Sequence, residues 1–209
     1  VGCILHILYK SKLEGITASL PEVDKMLSDP NRSVYELYTE MTQYSHFNGE
    51  NHPVIGSAGR DQLDRPDEEA GSVLSTAKSY LSLYRDPIVA RNVSRSDFKI
   101  KDLMNHDDPV SLYIVTQPND KGRLRPLVRI LINQIVRLNA DGIGFENGRP
   151  KAKYKHKLLM MLDEFPSLGK LSILQESLAF LAGYGIKCYL ICQDINQLKS
   201  EKTGYGRDE

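Results

Sequence analysis

Leu158-Leu159-Met160-Met161-Leu162-Asp163-Glu164 is the stretch on which the reading of this chain turns. Five consecutive apolar residues bounded by Lys157 and a pair of acids are too few for a helix and fit a buried strand. A run of similar character, Val110 to Gln117, is rich in β-formers and is stopped by Pro118-Asn119-Asp120. Another, Ile186 to Cys192, ends at Gln193-Asp194. Helical stretches separate them. Leu124 to Leu138 is dense in Leu, Ile and Val, and Leu171, Leu174, Leu178 and Leu181 mark a second helix closed by Gly183. Strand, helix, strand, helix, strand predicts an α/β fold with a parallel sheet and helices on both faces. Phe98 to Ile100 reads as short and extended, and Asn139 to Lys157, polar and rich in Gly, Asn and Lys, as a surface loop.

In such sheets ligands sit at the carboxyl ends of the strands. Gln117 and Asn119, Asp163 and Glu164, and Gln193 and Asp194 end the three runs, so they are expected to line one edge. An apolar strand ending in two acids is the Walker B pattern of P-loop ATPases. In that role Asp163 holds magnesium, usually through a water, because the ion prefers oxygen ligands and keeps part of its hydration shell. Glu164 orients or deprotonates the water that attacks the γ-phosphate of ATP. Gln193, at the end of the next strand, stands where RecA-like motors place a γ-phosphate sensor. The blander alternative is a strand ending in solvated acids and a solvated glutamine.

The first half reads as all-helical, from Val1 to about Tyr84. Ile4, Leu5 and Leu8 have helix spacing and Gly15 breaks the run. Ser19-Leu-Pro-Glu22 and Ser33-Val-Tyr-Glu36 are capping boxes, opening helices to about Ser28 and Tyr44. Asn48, Gly49, Asn51 and Pro53 make Phe47 to Gly59 a loop. A longer helix follows with Asp64 as cap, Pro66 in its first turn, Asp67, Glu68 and Glu69 near the positive end of its dipole, and an end at Arg85-Asp86-Pro87. Tyr35, Tyr38, Tyr44, His46 and Phe47 offer rings for stacking on single-stranded bases, but their helical spacing equally serves core packing.

With 209 residues, 41% apolar and 26% charged, the chain is long enough to bury real cores and has an ordinary globular composition. Lys plus Arg and Asp plus Glu are both 27, so net charge speaks neither for nor against a nucleic-acid partner. The cysteines are Cys3, Cys188 and Cys192. Their odd number argues against a disulfide framework, and Cys188 and Cys192 read as small packed side chains rather than a metal pair. No signal peptide and no long apolar run are present, which predicts a soluble cytoplasmic piece. A start inside a helix without Met, and an end after a glycine-containing loop at Arg207-Asp208-Glu209, suggest a piece of a longer protein.

Leu162-Asp-Glu-Phe-Pro-Ser-Leu-Gly-Lys170, Leu181-Ala-Gly-Tyr-Gly-Ile-Lys187 and Leu190-Ile-Cys-Gln-Asp-Ile-Asn-Gln-Leu198 together resemble the motor motifs of TraG-type coupling proteins of type IV secretion systems. Tyr113 to Leu131 is similar as well, and Leu5-His-Ile-Leu-Tyr9, Leu27-Ser-Asp-Pro30 and Ser75-Thr-Ala-Lys-Ser79 are similar more loosely. The resemblance implies a hexameric ATPase at the cytoplasmic face of the bacterial inner membrane, anchored by a segment outside this chain. It implies a RecA-like P-loop motor interrupted by an all-α domain. Here residues 1–84 would be the all-helical domain and residues 85–209 the returning part of the motor. The implied cofactors are ATP and Mg2+, and the implied partners are DNA, relaxase or relaxosome, effector proteins and channel components. The Walker A loop is missing from this sequence, so the chain alone is expected not to hydrolyse ATP. No arginine lies between Glu164 and Gln193; Lys187, Arg123 and Arg125 are the candidates to contact a neighbour's nucleotide. A rival reading from another class is a non-enzymatic docking module, whose helical half binds relaxosome or effector proteins. A transporter-type ATPase would need a Gly-rich signature helix, which Leu171 to Leu181 does not offer.

Overall fold

The computed structural model describes residues 1–141, 144–146, 149–151, 154–200 and 205–206. Contacts divide the chain into two units, Val1–Asp97 and Phe98–Glu209. The closing Arg207–Glu209 and parts of the polar stretch after Asn139 lie outside the described residues.

The first unit is helical: α1 Gly2–Glu14, α2 Leu20–Ser28, α3 Val34–Gln43, α4 Pro53–Leu63, α5 Asp67–Leu81 and α6 Pro87–Val93. Gly15, in the left-handed region at φ 73°, ends α1. The Ser19 hydroxyl accepts from the Glu22 N–H, and that of Ser33 from the Tyr35 N–H, so both expected caps form. Ile7, Val23, Leu27, Leu37, Tyr38, Met41 and Ile55 are buried together as the core. A bidentate pair from Arg85 to the buried Asp24, at 2.8 and 2.9 Å, ties the turn after α5 to α2.

The expected loop from Phe47 to Gly59 is mostly helix. Only Asn48 (φ 50°) and Gly49 (φ 82°) turn the chain, with Phe47 and Glu50 exchanging backbone hydrogen bonds. The Asn51 amide then donates to the carbonyls of Met41 and Tyr44 at the end of α3. Pro53 stands in the first turn of α4, where its missing N–H costs nothing. Gly59 marks close approach rather than a loop: a Cβ there would lie 2.7 Å from the Tyr38 carbonyl oxygen. Asp64 is also reassigned. It ends α4, pairing with Arg60 at 2.8 Å, while Pro66 precedes α5 without a side-chain cap. The turn Arg85-Asp-Pro87 does not close the helical unit, because Asp86 caps a further helix, α6.

A buried imidazole relay joins three segments of this unit. The His52 backbone N–H donates to His46 Nδ1 at 3.3 Å, His46 Nε2 lies 2.7 Å from His6 Nδ1, and His6 Nε2 lies 3.2 Å from Glu40. That order leaves each ring one proton, on Nε2. Burial alone would raise the Glu40 pKa, but Lys10 and Arg32 outweigh it and hold the carboxylate below its usual range. Burial lowers the pKa of His6, and burial with the charges of His6 and His52 lowers that of His46 to about 4. A folded pKa below the unfolded value means stability that is complete above about pH 6.5 and lost as pH falls towards 4. In urea titrations the first unit should therefore lose roughly 2 kcal/mol between pH 7 and pH 5. A pH-independent midpoint over that range would refute the relay.

The second unit contains α7 Asp102–Asn105, α8 Lys121–Asn139, the hairpin β1 Gly144–Glu146 with β2 Arg149–Lys151, β3 Leu158–Leu162, α9 Ser172–Leu181, β4 Ile186–Leu190 and α10 Ile195–Lys199. β3 and β4 are parallel, in register from Leu158↔Ile186 to Leu162↔Leu190. One face packs Met160 and Ile186 into a core with Ile132, Ile135, Val136, Leu174 and Leu181. On the other face Leu159, Met161 and Tyr189 are exposed, so among the described residues the sheet is covered on one side rather than both. Val110–Gln117 is not a strand, and Phe98–Ile100 bends into α7 instead of extending. Val110 and Leu112 pack on the core, but no ladder forms; a cavity of about 550 Å³ lies between residues 109–114 and β3. β propensity makes a segment extended, and pairing needs a neighbour at hydrogen-bond distance. The hairpin occupies part of the expected surface loop. α8 begins three residues before the expected start, placing Pro126 inside it, and α9 ends through a 3-10 turn at Gly185 (φ 78°) rather than at Gly183.

Candidate functional site

Asp163 and Glu164 leave the carboxyl end of β3 one and two residues after Leu162, and Gln193 follows Leu190, the register partner of Leu162. Both strands run the same way, so all three residues emerge at the same edge. Beyond the strands the pairing continues: the Ile191 N–H donates to Leu162 O and the Phe165 N–H to Ile191 O. Asp163 and Gln193 are exposed and Glu164 is half-buried.

The chain turns sharply at Glu164, which sits in the left-handed region at φ 50°, ψ 43°. A side chain there costs roughly 1–2 kcal/mol. Its surroundings hold it. The Glu164 N–H donates to Asp163 Oδ1 at 3.0 Å, and the Ser167 N–H to Glu164 O at 2.9 Å. The next residue, Phe165, is buried and stacks on Tyr205 at 5.6 Å. α8 meets the same turn twice. Lys121 Nζ donates to Glu164 Oε2, and Arg129 Nη1 donates to the Leu168 carbonyl at 2.6 Å.

The other sequence candidates are dispersed. Asp194 is used as the cap of α10, accepting from the Asn196 N–H at 2.8 Å. Gln117 and Asn119 are exposed around the turn that precedes α8. Lys187 lies mid-strand opposite Leu159, away from the carboxyl edge, and Arg123 pairs with Asp120 at 3.1 Å. The cysteines form no disulfide, burial raises the thiol pKa of Cys3 and Cys188, and the described residues contain no group of three or more His, Cys, Asp or Glu that could hold a metal ion. The aromatic group is divided: Tyr38 and His46 are buried, whereas Tyr35 and Phe47 are exposed. Tyr38 is core, Tyr35 donates to Asp67, and Tyr44 donates to Glu14, a hydrogen bond that raises its pKa to about 12. Lys121 and Arg129 were not legible as site residues, because nothing in their spacing links them to Glu164.

Residues 1–209 match the family described as "Type IV secretory system Conjugative DNA transfer". The chain belongs to that family. As a member of this conjugative DNA transfer family, it is 76% identical over 209 residues to the conjugal transfer protein TraG of Escherichia coli, covering 100% of this chain and 33% of that protein. It is 28% identical over 188 residues to the protein VirD4 of Rhizobium radiobacter, covering 84% of this chain and 25% of that one. A solved structure of the bacterial conjugative coupling protein TrwBdeltaN70, in its unbound monoclinic form, shares the fold with a TM-score of 0.61 at 22% identity. That match covers 94% of this chain and 41% of that chain. The resemblance to TraG-type coupling proteins thus extends along the whole chain, which spans about a third of the E. coli relatives. Among the described residues of this family member, no helix is long and apolar enough to cross a membrane.

Proposed function

We propose that this chain is part of a coupling ATPase that drives DNA with its relaxase, or effector proteins, into a type IV secretion channel. One observation carries the reading: adjacent parallel strands deliver Asp163, Glu164 and Gln193 to a single edge. Asp163 suits magnesium. One carboxylate oxygen is used by the Glu164 N–H, and the exposed position leaves room for the waters that the ion retains. When bound, the ion would neutralise charge on the nucleotide's phosphates. Glu164 takes the proton of the attacking water, and the Gln193 amide donates to a γ-phosphate oxygen.

The sequence has no Walker A loop to grip the phosphates, so in this reading the loop lies elsewhere in the longer protein and residues 1–209 alone do not hydrolyse ATP. The unit Phe98–Glu209 is then the returning part of the motor, and the unit Val1–Asp97 the helical domain that meets cargo. The intact protein is a hexamer at the cytoplasmic face of the inner membrane. The test is a magnesium titration of ATP hydrolysis by the full-length protein. Asp163→Asn should require about tenfold more magnesium for half-maximal turnover. An unchanged titration would remove Asp163 from the metal.

A further inference from the structure

Three basic residues, Lys121, Arg123 and Arg125, open α8, and its first turn carries no acid. Cations are disfavoured at the positive end of a helix dipole. Arg123 is compensated by Asp120, on the turn before the helix. Lys121 is compensated across the unit, by Glu164. A lysine placed against local helix physics and paired with the residue that adopts a left-handed backbone is where function is expected to override local preference.

The contact has a direction. Lys121 engages Oε2 of Glu164; Oε1 accepts no hydrogen bond among the described residues. Two turns further along α8, Arg129 holds the other end of the same turn through the Leu168 carbonyl. α8 therefore braces both ends of the Glu164–Leu168 segment. We propose that Lys121 is a positioning residue for Glu164: it anchors one carboxylate oxygen so that the other is presented to the attacking water. This rests on the reading of Glu164 as the base. Lys121 and Glu164 are 37% and 40% exposed, and a pair that open contributes little to folding, so its purpose is orientation rather than stability.

The experiment is steady-state ATP hydrolysis by the full-length protein carrying Lys121→Ala, Lys121→Met, Lys121→Arg or Glu164→Gln. Ala and Met should each lower kcat by about tenfold or more while KM for ATP stays within about twofold. Arg should restore most of the loss, and thermal midpoints should match the parent. A kcat at or above the parent level in both Ala and Met variants would overturn the proposal. So would a fall in kcat matched by a rise in KM, which would make Lys121 a nucleotide contact. Glu164→Gln separates the two levels. If it is inactive while Lys121→Met turns over normally, only the positioning role fails; if it turns over normally, the base reading fails and takes this proposal with it.

Discussion

Glu164→Gln in the full-length protein should bind magnesium-ATP as the parent does and lose about a thousandfold in turnover. The substitution keeps the volume and shape of the side chain, and its amide oxygen still accepts from Lys121, so the turn at Glu164 should survive. Only the capacity to take a proton is removed. Removing a group that acts only in the transition state lowers kcat and kcat/KM together and leaves ground-state binding intact. Fluorescent-nucleotide binding measured beside phosphate release distinguishes this from loss of the site. Parent-level phosphate release would eliminate Glu164 as the base, whatever motif it belongs to.

Gly59→Leu should destabilise the helical unit by roughly 3 kcal/mol or more, a large part of a typical domain's stability. The Cβ of any replacement would meet the Tyr38 carbonyl oxygen at 2.7 Å, and Met41 Cβ and Thr42 Cγ2 at 3.1 Å. The closest of these is backbone and cannot swing aside. α4 must therefore move off α3, opening the core around Leu37, Met41 and Ile55, which are at most 1% exposed. Gly71, inside α5, is the control. A Cβ there has nothing within 4 Å, so Gly71→Ala should stabilise by about 0.5–1 kcal/mol. Urea midpoints of the two variants read both effects, and equal midpoints would contradict the packing described here.

The two glycines show why one sequence signal had two meanings. Gly56 and Gly59, after Asn48, Gly49, Asn51 and Pro53, look like a continued loop because Gly is a turn-former when its partners are unknown. Asn48 and Gly49 do turn the chain, whereas Pro53 starts a helix and Gly59 admits the backbone of α3. Arg85-Asp86-Pro87 reads as the end of α5, because a proline cannot continue a helix, yet Asp86 caps α6 and Pro87 stands in its first turn. Val110–Gln117 has the composition of a strand but forms no ladder. Pairing is a property of two segments, and one segment's composition cannot supply it.

Local chemistry in the chain was enough to establish the caps at Ser19 and Ser33, the apolar strands at Leu158 and Ile186, and the polar residues that end them, because each depends on neighbours within a few positions. Folding settled the rest. Parallel register put Asp163, Glu164 and Gln193 at one edge, and the packing of α8 brought Lys121 to Glu164 and Arg129 to Leu168. Those contacts join residues far apart in the chain, and hydrogen bonds of that kind are specified by three-dimensional distance, to which periodicity and propensity are blind.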